Sequence, residues 1–389
     1  MSEASQLQFL VREFAARFGR CQAFSAPGRI NLIGEHTDYN EGFVLPIAID
    51  RRTYVVGAAR LDRTVQIRSA NTSSEFSFSL DHPGPRGRGT WLDYVEGTTD
   101  AMRSRGFALA GADLLLSSDI PVGAGLSSSA ALEMCVGYAL ARLSGIAEPD
   151  LVQLALSGQA AENDWVGAHC GIMDQFITAL GQRGSAMLID CRSLQRTMVP
   201  LELGSACVLI CDTRVKHRLA STAYNERREQ CEQGVLLLRS RLPDLQSLRD
   251  VDNEQLARHG GQLPELIRRR CRHVVSENAR TLRAAQALSE GRLSEFGELM
   301  LSSHESLRDD YEVSSVELDT AVALARAEAG VYGARMTGGG FGGCTITLLE
   351  RAALDRVSEC IRAGFKQQFA IEPQFFVSDA CQGVRAHVL

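Results

Sequence analysis

The chain has 389 residues, which is more than one hydrophobic core usually spans, so two domains are expected. Apolar residues make up 45% of the chain and charged residues 23%, which is typical of a globular protein without a membrane-spanning helix. The net charge of −6 gives no electrostatic reason to bind nucleic acid or an anionic membrane, so a small-molecule partner is favoured.

The N-terminal residues and the cysteines both indicate a cytoplasmic location. Residues 1–14 lack the basic-then-apolar order of a secretory signal, and residues 7–19 carry apolar side chains at helical spacing. The eleven cysteines are odd in number, form no CxxC pair, and include Cys207 and Cys211 within an apolar run. They are expected to be reduced core residues rather than bridges or zinc ligands.

Residues 25–43 are dense in turn formers and in charged side chains, which predicts a functional loop. Arg29, Glu35, His36 and Asp38 fall within ten residues of one another. A merely polar surface loop is the alternative. Short β-branched runs then predict strands between residues 44 and 70. A polar loop at 81–90 precedes a helical pattern that begins at Trp91.

Residues 121–133 read PVGAGLSSSAALE and predict a glycine turn that opens a helix, after a strand that includes Asp113. Glycines allow backbone N–H groups to converge on a ligand, and the start of a helix adds unpaired donors and a positive dipole end. The segment therefore suits a phosphate. A strand-to-helix turn with a serine cap explains the same residues, so other parts of the chain must decide.

A helix is predicted over residues 149–166, and Glu162 lies on its apolar face. A carboxylate there needs a cation or a hydrogen-bond partner, so a metal ligand and a structural hydrogen bond are both open. Asp174 is expected near the start of the next helix. A strand at 186–190 closes the first half, which places a domain boundary near residue 195, between domains 1–195 and 196–389.

The second half is predicted to mix helices and strands. Helices are expected near 220–240, 264–290 and 292–305, and strands at 207–212, 334–337, 344–349 and 375–378. Residues 338–343 satisfy GxGxxG formally, but the segment after them reads as a strand rather than a helix, which argues against a Rossmann site.

The lysine content excludes the familiar nucleotide loops. The only lysines are Lys216 and Lys366, neither of which adjoins a glycine loop, so a Walker A motif is absent, and the protein-kinase motifs are absent too. A phosphate must then be met by backbone donors, a helix terminus, a divalent cation and arginine, with Arg29 the leading candidate. Phosphoryl transfer also needs a group that orients the attacking hydroxyl, for which Asp174 is the best candidate.

Three separated motifs resemble those of the galactokinases, in the GHMP kinase superfamily. Residues 28–40 read GRINLIGEHTDYN and are similar to the galactokinase signature, while residues 121–130 and 336–344 are similar to the superfamily's second and third motifs. The resemblance extends across nearly the whole chain. It implies an α+β, two-domain GHMP kinase-like fold of mixed sheets and helices, with the active site in the cleft between the domains.

The resemblance also implies ATP as cosubstrate, Mg²⁺, and a role for each matching residue. Asp174 is the catalytic carboxylate near the sugar C1 hydroxyl, and Arg29 bridges that region and the γ-phosphate. The residues that match sugar-binding positions are Glu35, His36, Asp38, Gly171, Asp174 and Tyr224. The residues that match ATP-binding positions are Trp91, Gly123, Ala124, Gly125, Leu126, Ser127, Ser128, Ser129 and Ala130. Ser128 or Ser129 and Glu162 match the magnesium positions.

The expected reaction is direct in-line phosphorylation of α-D-galactose at C1, in a monomer with no obligate protein partner. Asp174 could act as a full base or mainly orient the hydroxyl. The enzymatic alternative is a related sugar 1-kinase, such as one that uses N-acetylgalactosamine. The alternative from another class is a non-catalytic sensor that binds galactose and ATP. The strictness of sugar choice and regulation are left open.

Overall fold

The computed structural model describes residues 3–216 and 220–389. Within these ranges the chain forms eleven α-helices and thirteen strands. The helices are α1 (Glu3–Phe18), α2 (Leu92–Ser104), α3 (Ser128–Leu143), α4 (Leu151–Ala161), α5 (Met173–Leu180), α6 (Ala220–Leu238), α7 (Asn253–His259), α8 (Glu265–Ser289), α9 (Leu293–Ser306), α10 (Val316–Arg326) and α11 (Leu354–Phe369). The strands are β1 (Gln22–Asn31), β2 (Phe43–Val44), β3 (Pro46–Ala59), β4 (Thr64–Ser69), β5 (Glu75–Ser79), β6 (Ala112–Ser118), β7 (Ser185–Asp190), β8 (Arg196–Pro200), β9 (Ala206–Lys216), β10 (Val331–Thr337), β11 (Gly342–Glu350), β12 (Gln374–Val377) and β13 (Arg385–His387).

The first half of the chain is built on a six-stranded mixed sheet in the order β13-β1-β3-β6-β4-β5. Only β4 and β6 pair in parallel; the other neighbours are antiparallel. Helix α3 packs on β1 and β3, and α2, α4 and α5 surround it. Its small residues, such as Ala130 and Ala139, allow this close approach on several sides, so ten of its sixteen residues are buried and none is exposed.

The second half contains a four-stranded antiparallel sheet in the order β10-β11-β9-β12. Helices α9 and α10 pack on this sheet, and α6 packs on α8. One apolar cluster includes Ile30 and Ile47 from the first sheet together with Ile210 and Ile346 from the second. The two halves therefore share a core, which fixes the groups that face each other between them.

Two strand pairings cross the division expected near residue 195. Strand β8, which follows that position, pairs with β7 in a three-stranded sheet, and β13 near the C-terminus pairs with β1. These contacts favour a boundary between β8 and β9, with β13 counted in the first unit. The division of the chain into two domains stays a prediction, with the boundary now proposed between β8 and β9 instead of near residue 195.

The main sequence-predicted elements are confirmed, with one correction. The strand, glycine loop and helix around residues 121–133 are β6, a loop and α3, and a strand rather than a helix follows the third motif. The predicted loop at 25–43 is wrong in its first part, because β1 runs to Asn31 and Arg29 lies on it. The turn formers Pro27 and Gly28 occupy an irregularity in the pairing with β3, where a strand tolerates them. In the part of the chain that is described, no helix is long and apolar enough to cross a membrane.

Candidate active site

The loop between β6 and α3 is stabilised by the third glycine motif. Gly123 and Gly125 have φ values of 72° and 76°, in the left-handed region that favours glycine. A Cβ on Gly338 would lie 2.8 Å from the carbonyl oxygen of Gly125, so only glycine allows the two backbones to approach this closely. The second and third motifs are therefore packed against each other as one unit.

Arg29 and Asp174 form a bidentate ion pair beside this loop. Arg29 Nε lies 2.7 Å from Asp174 Oδ1, and Nη2 lies 2.6 Å from Oδ2. The third guanidinium nitrogen, Nη1, donates to the carbonyl oxygen of Gly125 at 2.6 Å. Arg29 is buried, whereas the Asp174 side chain is 27% exposed and can meet a ligand. The pair joins the start of α5 to the glycine loop through a strand residue.

Glu35 is buried against a charged residue of the second half of the chain. It forms an ion pair with Arg335 of β10 and accepts a hydrogen bond from the backbone N–H of Gly338 at 3.0 Å. Burial and the neighbouring Glu277 raise the pKa of Glu35 to about 7, against the opposing effect of Arg335. Its position is therefore set from the third glycine motif.

A second carboxylate, Glu277 of α8, completes this buried network. It accepts hydrogen bonds from the N–H of Gly34 at 3.0 Å and from Arg280 Nε at 2.7 Å. Burial opposes its ionisation, but Arg280, His273 and Arg335 together lower the pKa of Glu277 to about 2. The backbone just before Glu35 is thus held by an ionised carboxylate.

His36 is held in one tautomer by the protein. Its Nε2 lies 3.1 Å from the carbonyl oxygen of Gly339, which can only accept, so Nε2 carries the proton. Its Nδ1 then accepts from the hydroxyl of Tyr39 at 2.8 Å. Burial and His273 lower the pKa of His36 to about 3, which keeps the ring neutral. A ligand hydroxyl could use a ring nitrogen only by replacing one of these bonds.

Asp38 is half-buried close to Asp174, and Gly171 makes room for it. A Cβ on Gly171 would collide with the Asp38 carboxylate, so this position needs glycine. Burial and Asp174 raise the pKa of Asp38 to about 6, although the N–H of Tyr39 donates to it at 2.9 Å. Asp38 therefore changes charge near neutral pH.

These groups surround a polar cavity of about 200 Å³. All the residues predicted to bind the sugar line this cavity, together with Arg29 and Glu162. Tyr224 and the third glycine motif, from the second half of the chain, close one side of it. Its lining residues are Arg29, Glu35, His36, Asp38, Glu162, Ala168, Cys170, Gly171, Met173, Asp174, Tyr224, Asn225, Gly338 and Gly339. We call it the polar cavity.

An apolar cavity of about 400 Å³ lies on the other side of the glycine loop. Trp91 lines it, donates from Nε1 to Ser74 Oγ at 3.1 Å, and packs edge-on against Phe76. Its lining residues are Thr53, Ser69, Asn71, Thr72, Trp91, Tyr94, Leu116, Ser118, Ile120, Val122, Ser128, Ser129 and Leu132. The loop with its serines thus lies between a polar and an apolar cavity, and we call the second the apolar cavity.

Glu162 and Ser129 connect the two cavities. The Ser129 hydroxyl lies close enough to Glu162 to oppose the rise in its pKa; Glu162 lines the polar cavity, while Ser128 and Ser129 line the apolar one. Burial and Asp174 raise the pKa of Glu162. Among the described residues no group of three or more His, Cys, Asp or Glu side chains could hold a metal alone. A cation here would need further oxygen ligands, such as phosphate or water.

Sequence reasoning missed four buried groups that support the site, namely Glu133, Gln175, Glu277 and Arg335. Glu133 on α3 accepts from Gln175 Nε2 at 3.0 Å, while its Oε1 has no partner among the described residues. Burial and Glu162 raise the pKa of Glu133 well above its ordinary value. Glu133 and Arg335 each lie within an apolar run, so the reasoning applied to Glu162 would have found them.

The sequence matches three family descriptions along its length. The galactokinase galactose-binding signature matches residues 12–59, the N-terminal domain of GHMP kinases matches residues 93–182, and their C-terminal domain matches residues 284–367. A galactokinase from Chloroflexus aggregans is 48% identical over 383 residues, covering 97% of each chain. A galactokinase from Roseiflexus is 47% identical and covers 92% of this chain and 91% of its own.

Solved structures agree with this match. The galactokinase of Lactococcus lactis, solved with galactose, superimposes with a TM-score of 0.94 at 37% identity, covering 98% of this chain and 99% of that chain. The mevalonate kinase of Methanococcus jannaschii shares the fold at a TM-score of 0.62 and 18% identity, covering 94% of this chain and 100% of that chain.

Proposed function

Because this chain belongs to the galactokinase family of the GHMP kinases, we propose that it transfers the γ-phosphate of ATP to the C1 hydroxyl of α-D-galactose. The products are galactose 1-phosphate and ADP. The chain is an ATP-dependent sugar kinase with small-molecule substrates. The observation that carries the proposed assignment of residues is the Arg29–Asp174 pair, which joins the polar cavity to the glycine loop.

The polar cavity is proposed to bind the sugar. Galactose has no charge, so its recognition depends on oriented hydrogen-bonding groups around its hydroxyls. Glu35 and Asp38 supply carboxylate acceptors, Tyr224 supplies a hydroxyl, and His36 supplies a neutral ring at the same wall. Gly171 contributes backbone and the space that Asp38 occupies. The buried partners of these groups hold them in place before the sugar arrives.

The chemical step is proposed to be direct and in line. The C1 oxygen attacks the γ-phosphorus, the bond from that phosphorus to the bridging oxygen of ADP breaks, and the hydroxyl proton leaves toward Asp174. Asp174 acts either as the base or as the group that orients the hydroxyl, and Arg29 stabilises negative charge between the carboxylate and the phosphate.

ATP is proposed to lie along the glycine loop, with its base in the apolar cavity and its phosphates on residues 123–130. The backbone N–H groups of the loop and the start of α3 face the phosphates, and Trp91 forms part of the wall beside the base. Glu162 with Ser128 or Ser129 would hold Mg²⁺, and these oxygen donors beside phosphate oxygens fit that ion. When bound, the ion neutralises phosphate charge.

We also propose a monomeric protein in the cytoplasm. Every cysteine in the described ranges is free, and Cys207 and Cys211 are buried in the second sheet, as expected for a reducing compartment. Light scattering of the purified chain would test the monomer.

The test of the proposed function is release of ADP with a panel of sugars. Galactose should support turnover, whereas glucose and N-acetylgalactosamine should support much less, because the polar cavity fixes acceptors for one arrangement of hydroxyls. Faster turnover with N-acetylgalactosamine would make the chain a different sugar 1-kinase. Binding of galactose and ATP without ADP release would indicate the sensor instead.

A further inference from the structure

Ser127, at the start of α3, has a backbone conformation that is unfavourable for serine. Its φ and ψ are 58° and 50°, in the left-handed region that favours glycine, and the residue is only 8% exposed. A serine before a helix usually has an extended backbone and accepts a hydrogen bond from the first turn. Ser127 makes no such bond. Neither backbone preference nor helix capping explains this serine.

The hydroxyl of Ser127 is directed at Asp174 instead. It donates to Asp174 Oδ2, and the direction is fixed because an ionised carboxylate can only accept. Arg29 reaches the same carboxylate through Nε and Nη2. Asp174 is thus held by three donors, of which two come from a strand and the third from the phosphate loop.

We propose that Ser127 is a positioning residue for Asp174, and this inference rests on the proposed function. Arg29 sets the plane of the carboxylate and connects it to the loop that would bind the γ-phosphate only indirectly, through the bond from its Nη1 to the Gly125 carbonyl. The Ser127 hydroxyl supplies a direct bond between the carboxylate and the loop, because Ser127 belongs to the loop itself. The left-handed backbone is the conformation that brings the hydroxyl to Asp174, which accounts for an otherwise unfavourable serine.

The test compares Ser127→Gly and Ser127→Ala with the wild-type chain. Both variants remove the hydroxyl, so kcat should fall about tenfold to a hundredfold, because a small displacement of a reacting group has effects of this order. The Michaelis constants for galactose and ATP should change by less than about threefold, because the binding walls remain. Ser127→Gly should melt at or above the wild-type temperature, since glycine accepts the left-handed backbone.

Two controls separate the possible outcomes. Ala370→Gly relieves another left-handed position, at φ 56° after α11 and exposed, and should leave turnover unchanged. Asp174→Asn tests the proposed role of Asp174, which is the part of the proposed function on which the inference depends. If both Ser127 variants have the kcat of the wild type while Asp174→Asn is inactive, the inference is overturned and the proposed function is unaffected.

The Michaelis constants provide a second way to reject the inference. An unchanged kcat with a raised Michaelis constant for ATP would mean that the hydroxyl holds nucleotide rather than Asp174. Normal turnover by Asp174→Asn would instead remove the proposed role of Asp174, on which the inference rests.

Discussion

The polar and apolar cavities on the two sides of the glycine loop are built in different ways. The polar cavity takes residues from both halves of the chain, and its charged groups are paired inside the protein, as in Glu35 with Arg335. The apolar cavity takes its wall from residues 53–132 alone, with Trp91 and Leu132 among its apolar members. We propose that the polar cavity recognises its ligand through fixed hydrogen bonds and that the apolar cavity does so through shape and contact area.

This difference predicts different responses to substitution. Moving or neutralising one fixed charge leaves a buried partner unpaired, so effects at the polar cavity should be large and specific. Removing part of an apolar wall loses contact area only, so effects at the apolar cavity should be moderate and confined to nucleotide binding.

The largest effect is expected from Asp174→Asn at the polar cavity. Asparagine keeps the size of the side chain but loses the charge that Arg29 faces and the ability to take a proton. We expect kcat to fall about a thousandfold, within the range for loss of a group that transfers a proton, while both substrates still bind. Steady-state kinetics with calorimetric binding would measure this, and a kcat within tenfold of wild type would contradict it.

The next effect is on stability, from Arg335→Met. The change leaves the Glu35 carboxylate buried without its cation, which should lower the free energy of unfolding by about 3–5 kcal/mol and weaken galactose binding. Urea denaturation would measure the loss. The double variant Glu35→Gln with Arg335→Met removes both charges and should recover part of the stability. A single variant as stable as wild type would show that the pair is not needed.

A smaller effect is expected when pH changes the charge of Asp38. Its pKa of about 6 means that the carboxyl is mostly protonated at pH 5, where it loses acceptor strength toward sugar hydroxyls. Galactose affinity should therefore rise about tenfold from pH 5 to pH 7. Glu35, with a pKa of about 7, begins to gain charge at the upper end of this range, whereas His36, with a pKa of about 3, stays neutral throughout.

The control for this pH effect is Asp38→Asn, which should bind galactose more weakly and lose the part of the pH dependence centred near pH 6, keeping the part that belongs to Glu35 near pH 7. The free protein should show the opposite trend in stability. An acid whose pKa is raised on folding, here from 3.8 to about 6, stabilises less as pH rises through that interval. Galactose affinity that is flat from pH 5 to 7 in the wild type would contradict this assignment.

The smallest effect is expected at the apolar cavity, from Trp91→Ala. Loss of the ring removes contact area from the wall proposed to face adenine, so the Michaelis constant for ATP should rise about tenfold. The kcat and the constant for galactose should stay within about twofold. Leu61→Ala, at an exposed position outside both cavities, is the matched control. A large loss of kcat in Trp91→Ala would contradict the division between the cavities.

Local features of this site were predictable from the sequence, and long-range partners were not. The glycine loop with α3 and the position of Asp174 on α5 follow from turn residues and helical spacing over a few neighbouring residues. The prediction that Arg29 lies in a loop was wrong, because Pro27 and Gly28 favour a turn by composition while the buried sheet imposes a strand.

Partners of buried charges depend on how distant elements pack. A buried carboxylate such as Glu35 is expected to have a charged partner. Nothing near Glu35 in the sequence, however, identifies that partner as Arg335. Similarly, strand β8 joins the first unit through its pairing with β7, although it follows the predicted boundary. Such pairings are chosen by tertiary contacts rather than by local propensity.

The position of phosphate on the product tests the central claim most directly. Galactose labelled with ¹³C at C1 would be incubated with ATP, Mg²⁺ and the chain, and the product observed by ³¹P and ¹³C NMR, with Asp174→Asn in parallel. We predict a single product, α-galactose 1-phosphate, with phosphorus coupled to the labelled carbon, and almost none from the variant. Phosphate on another carbon, or the same product from both proteins at similar rates, would contradict the account.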